Sequence, residues 1–216
     1  MKKFDNIKYK IVRGAINKKV ASAFTDYIFL KQHVAARVLK DGYAPSYQTV
    51  WGVWNDTQAP RTYSCYSDIF AETLLLQLHP VIEKEIKKKL YPTYSYVRIY
   101  KKGDVLKKHI DRPSCEISAT LNIHNSKWPI YFKDKNKTIK INLKEGDLAI
   151  YKGCELQHWR DELESDFCVQ VFLHFTTNNS KELLFDGRDF LGLPNEYKDR
   201  DIVRQMLEQN KILKNE

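Results

Sequence analysis

His109 and Asp111 are separated by a single residue, and His158 follows 47 residues beyond Asp111. At an extended strand end, residues i and i+2 project to the same side, so an imidazole nitrogen and a carboxylate oxygen can meet one ion. Two histidines and a carboxylate on one face of a metal leave coordination positions open. That suits a non-haem Fe(II) that must also hold a cosubstrate and oxygen. Zinc accepts the same donors and stays a competitor at this point. An isolated HxD pair is a common accident. What gives this one weight is His158, placed at the end of a second extended segment, Asp147 to Tyr151 and its continuation.

The elements that must position these residues follow from hydrophobic period. From Asn17 to Leu39 the apolar residues Val20, Phe24, Tyr27, Ile28, Val34 and Val38 describe one stripe of a helix that stops near Gly42. Tyr43 to Tyr66 mixes prolines and aromatics around an apolar run at Val50 to Trp54, which predicts strand pieces joined by loops. Ser67 or Asp68 can cap a second helix to about Leu90, buried on Phe70, Leu74, Leu78, Val81, Ile82 and Ile86. Its other face carries Lys84, Lys87, Lys88 and Lys89 and reads as solvated surface. After Pro92 the period changes to two and stays so through Phe175, with turns at Gly103, Gly146 and Gly153. In the first of these strands Tyr94, Tyr96, Arg98 and Tyr100 share one face. Ile139, Ile141 and Leu143 alternate with Lys140, Asn142 and Lys144, as an outer strand should.

The expected fold class is therefore α+β and mainly β, a barrel preceded by helices packed on one sheet. The 216 residues, 43% hydrophobic, suit a single domain. Within it, 92–176 is the β core, 1–91 the helical support and loop region, and 177–216 a charged tail in which Asp199 to Leu213 is a closing helix or disordered. Four scattered cysteines without a CxxC pair indicate a reduced, intracellular chain. No apolar leader or span is evident, so a soluble cytoplasmic protein with no membrane partner is expected. The net charge of +9 permits an acidic partner without naming one.

The segments YSYVRIYKKGDVLKKHIDRPSCEISATLNI, WPIYF, LKEGDLAIYKGCELQHWRDE and VQVFLHF, in that order, resemble the double-stranded β-helix (jelly-roll, cupin-like) core of Fe(II)/2-oxoglutarate oxygenases. The likeness covers about 84 residues, Pro92 to Phe175, and is greatest to the prolyl-4-hydroxylase-like members of bacteria and phages. The resemblance implies that His109, Asp111 and His158 are the iron ligands, that Fe(II), 2-oxoglutarate and molecular oxygen are the cofactors, and that no catalytic residue is needed beyond the ligands.

The distal carboxylate of 2-oxoglutarate needs a cation inside the barrel, because an unpaired buried carboxylate costs on the order of several kcal/mol. Prolyl hydroxylases place Lys or Arg nine or ten residues after the distal histidine; here those positions hold Phe167 and Cys168. Arg160, two residues past His158, is preferred, with Arg98 next. Tyr100 matches the spacing of a pocket tyrosine in that family, and Gln170 and His174 can contact cosubstrate if they face inward. Arg112 can pair with Glu116 or reach a substrate. His124, His33 and His79 read as structural or surface residues, and Trp128 and Trp159 as core or rim.

The resemblance implies hydroxylation of a C–H bond, with a prolyl residue in a peptide or protein as leading substrate and a small molecule also admissible. Two alternatives stand. One is nucleobase oxidation, encouraged by the +9 charge and by Lys133, Lys135, Lys137 and Lys140 although nucleic acid is not the favoured partner; the other is a non-catalytic metal-binding barrel, suggested by the missing base after His158.

Overall fold

In the computed structural model, residues 4–44, 48–60, 62–124 and 127–198 are described, and the expected helix of the tail lies outside them. Asn17 caps α2 (Lys18–Lys40) by accepting from the Val20 amide at 2.9 Å, and Ala21, Phe24, Ile28 and Ala35 form its buried stripe. Asp68 caps α3 (Ile69–Ile86) through the Phe70 and Ala71 amides, and its other oxygen takes Tyr27 and Lys31 of α2, so one carboxylate starts one helix and ties it to another. The second helix is four residues shorter than expected, because Lys87 turns left-handed at φ 57° and closes it. Two elements escaped the periodicity altogether: α1 (Phe4–Ile7) and the edge strand β1 (Tyr9–Val12), each too short to show a period.

Among the described residues between the helices only β2 (Tyr63–Tyr66) is a strand, and the run Val50 to Trp54 contributes one bridge, Val53 to Ser64. Then follow β3 (Tyr91–Lys101), β4 (Leu106–His109), β5 (Ile117–Asn122), β6 (Ile130–Asp134), β7 (Lys137–Ile141), β8 (Leu148–Lys152), β9 (Gln157–Arg160) and β10 (Phe167–Thr176). They form a six-stranded sheet in the order β1-β8-β5-β10-β3-β2 and a four-stranded sheet in the order β4-β9-β6-β7, all pairs antiparallel. This is the double-stranded β-helix. Leu148 to Lys152 and Gln157 to Arg160 belong to opposite sheets, so His158 does not continue the strand before it as the sequence reading had it.

The large sheet is buried on both faces. Its outer face, with Val97, Ile99, Val169, Val171, Leu173 and Phe175, packs under Phe24, Ile28, Leu74, Leu78 and Ile82 of the helices. Burying each such side chain stabilises by roughly 1.5–3 kcal/mol, which is what clamps the helices to this sheet. Its inner face is polar and aromatic, and register aligns it in rows: Tyr94, His174, Ser118 and Tyr151; then Tyr96, Phe172 and Thr120; then Arg98, Gln170 and Asn122; then Tyr100 and Cys168. No described helix is long and apolar enough to cross a membrane.

Candidate metal centre

His109 ends β4 and His158 sits directly opposite it on β9, so their rings meet across the strands with centroids 4.2 Å apart. Asp111 lies just past β4, its amide bonded to the Gly153 carbonyl at 2.9 Å. Its Oδ1 is 3.6 Å from His109 Nε2 and 3.5 Å from His158 Nε2, and one donor atom from each residue lies within 4.8 Å of the others. Both imidazoles direct Nδ1 at a carbonyl two residues back, His109 to Lys107 at 2.7 Å and His158 to Leu156 at 2.9 Å. Those contacts fix the tautomer in which Nδ1 carries the proton, leaving both Nε2 lone pairs free for an ion. Burial pushes the Asp111 carboxyl up, but positive charge at the two Nε2 positions facing Oδ1, here imidazolium protons and equally a bound cation, outweighs it and holds the carboxyl well below the usual range. The carboxylate is ionised, as a ligand must be.

Oδ2 of Asp111 accepts from the Ser118 hydroxyl at 2.6 Å, and Ser118 in turn meets His174 Nδ1 at 3.0 Å. Burial depresses the His174 pKa to about 4, so this ring is neutral and adds no second charge beside the ligands. Spacing offered no route to Ser118. It faces inward opposite His174 on β10, which only register reveals.

A cavity of about 520 Å³ opens onto the triad. It is lined by Tyr94, Tyr96, Arg98, Arg112, Phe172 and His174 from the barrel and its rim, and by Asn55, Asp56, Thr57 and Gln58 from the loop after α2. Arg98 is on this wall, but it is not free: its Nε and one terminal nitrogen bond Asp56 Oδ2 at 2.9 and 2.6 Å, Gln58 accepts at 2.8 Å, and Tyr100 accepts at 3.1 Å. Burial pushes the Asp56 carboxyl up, but Arg98, the Tyr96 hydroxyl and the Gln58 amide together outweigh it and lower its pKa, so the pair is charged. Nothing in the sequence distinguished Asp56 from other loop carboxylates.

Arg160 shares the side of β9 that carries His158 and is 1% exposed. Its guanidinium crosses the barrel, donating to the Trp128 carbonyl at 2.5 Å and to Gln170 Oε1 at 3.1 Å on the opposite sheet. Its Nε has no partner, and among the described residues no carboxylate pairs with it. Inward-facing Cys168 is small, and Arg160 enters the space a longer residue there would fill. Phe167 turns outward onto Phe29. Tyr100 is fully buried against Trp128, and Gln170 is held by Thr120 and Asn122. Arg112 pairs with Asp186 at 2.8 Å; Glu116, its expected partner, is taken by Thr176 and Thr177. His124, half-buried, packs on Phe167 at a tilt with its Nδ1 unpartnered, and it is not part of the His109, Asp111 and His158 cluster. Trp128 is core and Trp159 is half-exposed on the outer face of the small sheet; His33 is exposed, and His79 bonds the Leu90 carbonyl.

No family model matches the sequence, and no curated protein matches it either. Similarity emerges in three dimensions. The epimerase SnoN from nogalamycin biosynthesis, described as non-haem and α-ketoglutarate dependent, superposes with a TM-score of 0.59 at 10% identity, covering 81% of this chain and 80% of that one. HygX from Streptomyces hygroscopicus, solved with nickel and 2-oxoglutarate, gives 0.57 at 11% identity over 80% and 84%. A Trichoplax adhaerens prolyl hydroxylase solved with a peptide of hypoxia-inducible factor gives 0.53 at 12% identity over 80% and 85%. The chain therefore has the double-stranded β-helix fold of the 2-oxoglutarate- and Fe(II)-dependent oxygenases, with a His-Asp-His cluster inside its barrel.

Proposed function

We propose that this chain is an Fe(II)- and 2-oxoglutarate-dependent oxygenase in which His109, Asp111 and His158 hold the iron and Arg160 takes the distal carboxylate of the cosubstrate. The observation that carries the reading is Arg160, a buried guanidinium with an unpartnered Nε and no counter-charge among the described residues, two residues along the strand from His158. A buried cation is retained at a cost of several kcal/mol unless something pairs with it, and a dicarboxylate chelated at the triad would do so. Zinc would fill the same donors, but a plain zinc site gives no reason for a second, unpaired cation in the barrel. That cation also supports turnover over the non-catalytic barrel, since it answers the missing base at Phe167 and Cys168.

Arg98 is the competing anchor. The cavity reaches Arg98 and stops short of Arg160, so binding at Arg160 requires side chains at the deep end to shift. Binding at Arg98 instead displaces Asp56 and leaves that carboxylate buried without its partner, which costs more. Tyr100 and Gln170 then act as positioning residues, one beside each arginine.

When bound, the iron and cosubstrate supply the oxidising equivalent for C–H hydroxylation. The protein's own part is to keep three metal positions open, to orient the cosubstrate and to limit water. The loop 48–60 closes one wall of the cavity for that last purpose. As substrate we favour a prolyl residue in a peptide or protein, supported by the motif resemblance and by the likeness to the peptide-bound hydroxylase. SnoN and HygX share the fold as well, so the preference rests on fold-level analogy.

An anaerobic titration with Fe(II) and then 2-oxoglutarate, followed by the visible absorption of the chelate, tests the site. The band should form in the wild type, be absent in His109→Ala, and need far more cosubstrate in Arg160→Met. Equal loss in Arg98→Met with Arg160→Met unaffected would move the anchor to Arg98. A peptide library that gains one oxygen without yielding hydroxyproline would dismiss the prolyl assignment.

A further inference from the structure

The small sheet turns one face to the metal and the other to solvent, and the solvent face carries a continuous row of four side chains, one from each strand. Lys108 on β4 places its Nζ 4.1 Å from the centre of the Trp159 ring on β9. Trp159 stacks on Tyr131 of β6, with centroids 5.5 Å apart and ring planes 15° apart. Lys140 on β7 closes the row at 5.9 Å from the Tyr131 ring. Register makes the row: Tyr131 is opposite Trp159 on one side and Lys140 on the other, and Lys133 stands next to Tyr131 along β6, between Gln157 and Thr138.

Charge is concentrated on the same face. Residues 127–144, which form the β6–β7 hairpin and its flanks, hold six lysines and one aspartate, a net +5 within eighteen residues of a chain whose total is +9. Several lysines elsewhere are matched to acids, as Lys8 is to Glu155, Lys10 to Glu85, Lys31 to Asp68 and Lys88 to Asp5. Among the described residues Lys108, Lys133, Lys135, Lys137 and Lys140 have no ion-pair partner. Lys140 also borders a second cavity, of about 870 Å³, whose wall includes Arg13, Lys127 and Lys144. The one carboxylate there, Asp147, is neutralised by Arg13 and by the amides of Gly14 and Lys144.

We propose that this face binds single-stranded nucleic acid, with phosphates on the unpaired lysines and bases on the Tyr131 and Trp159 rings. An aromatic pair set among unpaired cations is the combination that reads backbone charge and the π-faces of unpaired bases together, largely independent of sequence. A duplex hides those faces. An anionic membrane attracts the same lysines, but stable peripheral anchoring takes a second, apolar signal, and none of the large exposed hydrophobic side chains, Ile110 and Val105 included, lies on 127–144 or on β9. On docking, Lys108 and Lys140 exchange a weak, solvent-exposed ring contact for a phosphate. Trp159 lies between His158 and Arg160 with its side chain on the opposite face of β9, so the surface is a docking platform backing the metal site and stands independently of the reaction performed there.

The test is fluorescence anisotropy of a labelled oligothymidylate about twenty nucleotides long, with salt raised from about 50 to 200 mM. The expected result is binding whose logarithmic salt slope reflects about 0.7 per phosphate neutralised, and which Lys133→Gln with Lys140→Gln reduces by about 1.4. Tyr131→Ala and Trp159→Ala each weaken affinity about tenfold or more, and Trp159→Phe restores most of it. The lysine variants alter only surface charge and so report even if Trp159→Ala fails to fold. The proposal is overturned by no binding at the lowest salt, by equal affinity for a duplex, heparin, an acidic peptide or phosphatidylserine vesicles, or by aromatic variants that bind as tightly as wild type.

Discussion

The Ser118 hydroxyl donates to Oδ2 of Asp111 at 2.6 Å while Oδ1 faces both histidine Nε2 atoms, so the carboxylate has one oxygen for the protein and one for an ion. A carboxylate restrained this way would hold a metal through Oδ1 alone, leaving the second oxygen to Ser118.

Ser118→Ala should therefore weaken Fe(II) or Co(II) binding by about 10–100-fold while the protein remains folded. Ser118→Thr, which keeps the hydroxyl, should recover much of it. Anaerobic calorimetry on the three proteins checks this, and unchanged affinity in Ser118→Ala would remove the restraint from the site.

Gly153 is required by crowding rather than by backbone conformation. A Cβ there would run into the Cys115 carbonyl oxygen and Asp111 Oδ2, and backbone cannot yield as a flexible side chain can. Gly153→Ala is expected to cost about 1–3 kcal/mol in stability and to displace the Asp111 carboxylate. Urea unfolding and a metal titration of the same protein read the two effects separately.

Arg160→Met should raise the melting temperature of the metal-free protein by a few degrees while sharply weakening cosubstrate binding, because it removes a buried charge that lacks a counter-ion among the described residues. Opposite signs for stability and ligand binding at one position identify a residue retained for function. A lower melting temperature would mean that the bonds to Trp128 and Gln170 outweigh the charge.

Asp56 and Arg98 couple the loop after α2 to the barrel, and both side chains are under 10% exposed. Asp56→Asn leaves the guanidinium without its partner and should destabilise by about 3–5 kcal/mol. Since Arg98 holds the Asp56 pKa below its unfolded value despite burial, the stabilisation is fully present above about pH 4 and is lost as pH falls through the lower folded value. Acid unfolding of the wild type should thus be steeper than that of Asp56→Asn. Parallel acid limbs would show that the pair does not govern it.

Local pattern was enough for much of this molecule. The i, i+2 spacing of His109 and Asp111, the apolar stripe that begins at Val20, the period change at Pro92 and the capping residue Asp68 all depend on neighbours in the chain, and the helices and most strands formed where those signals lay. That Tyr94, Tyr96, Arg98 and Tyr100 share one face was legible for the same reason, and packing of the other face under the helices made it the inward one. The short elements were not, since four residues of β1 carry no period and become a strand only by pairing with β8.

What tertiary structure alone decided was pairing across distance. Register sets His158 opposite His109 and Ser118 opposite His174, and whether a strand joins one sheet or the other turns on which surfaces can be buried together. The same applies to charge. Arg98, Arg160 and Arg112 look alike in the sequence; Asp56 neutralises the first, no described carboxylate pairs with the second, and Asp186 rather than Glu116 takes the third. The sequence determined which side chains could do chemistry, because that depends on residue type and local period. The fold decided which of them are left unpaired, because a buried charge is defined by what surrounds it in space.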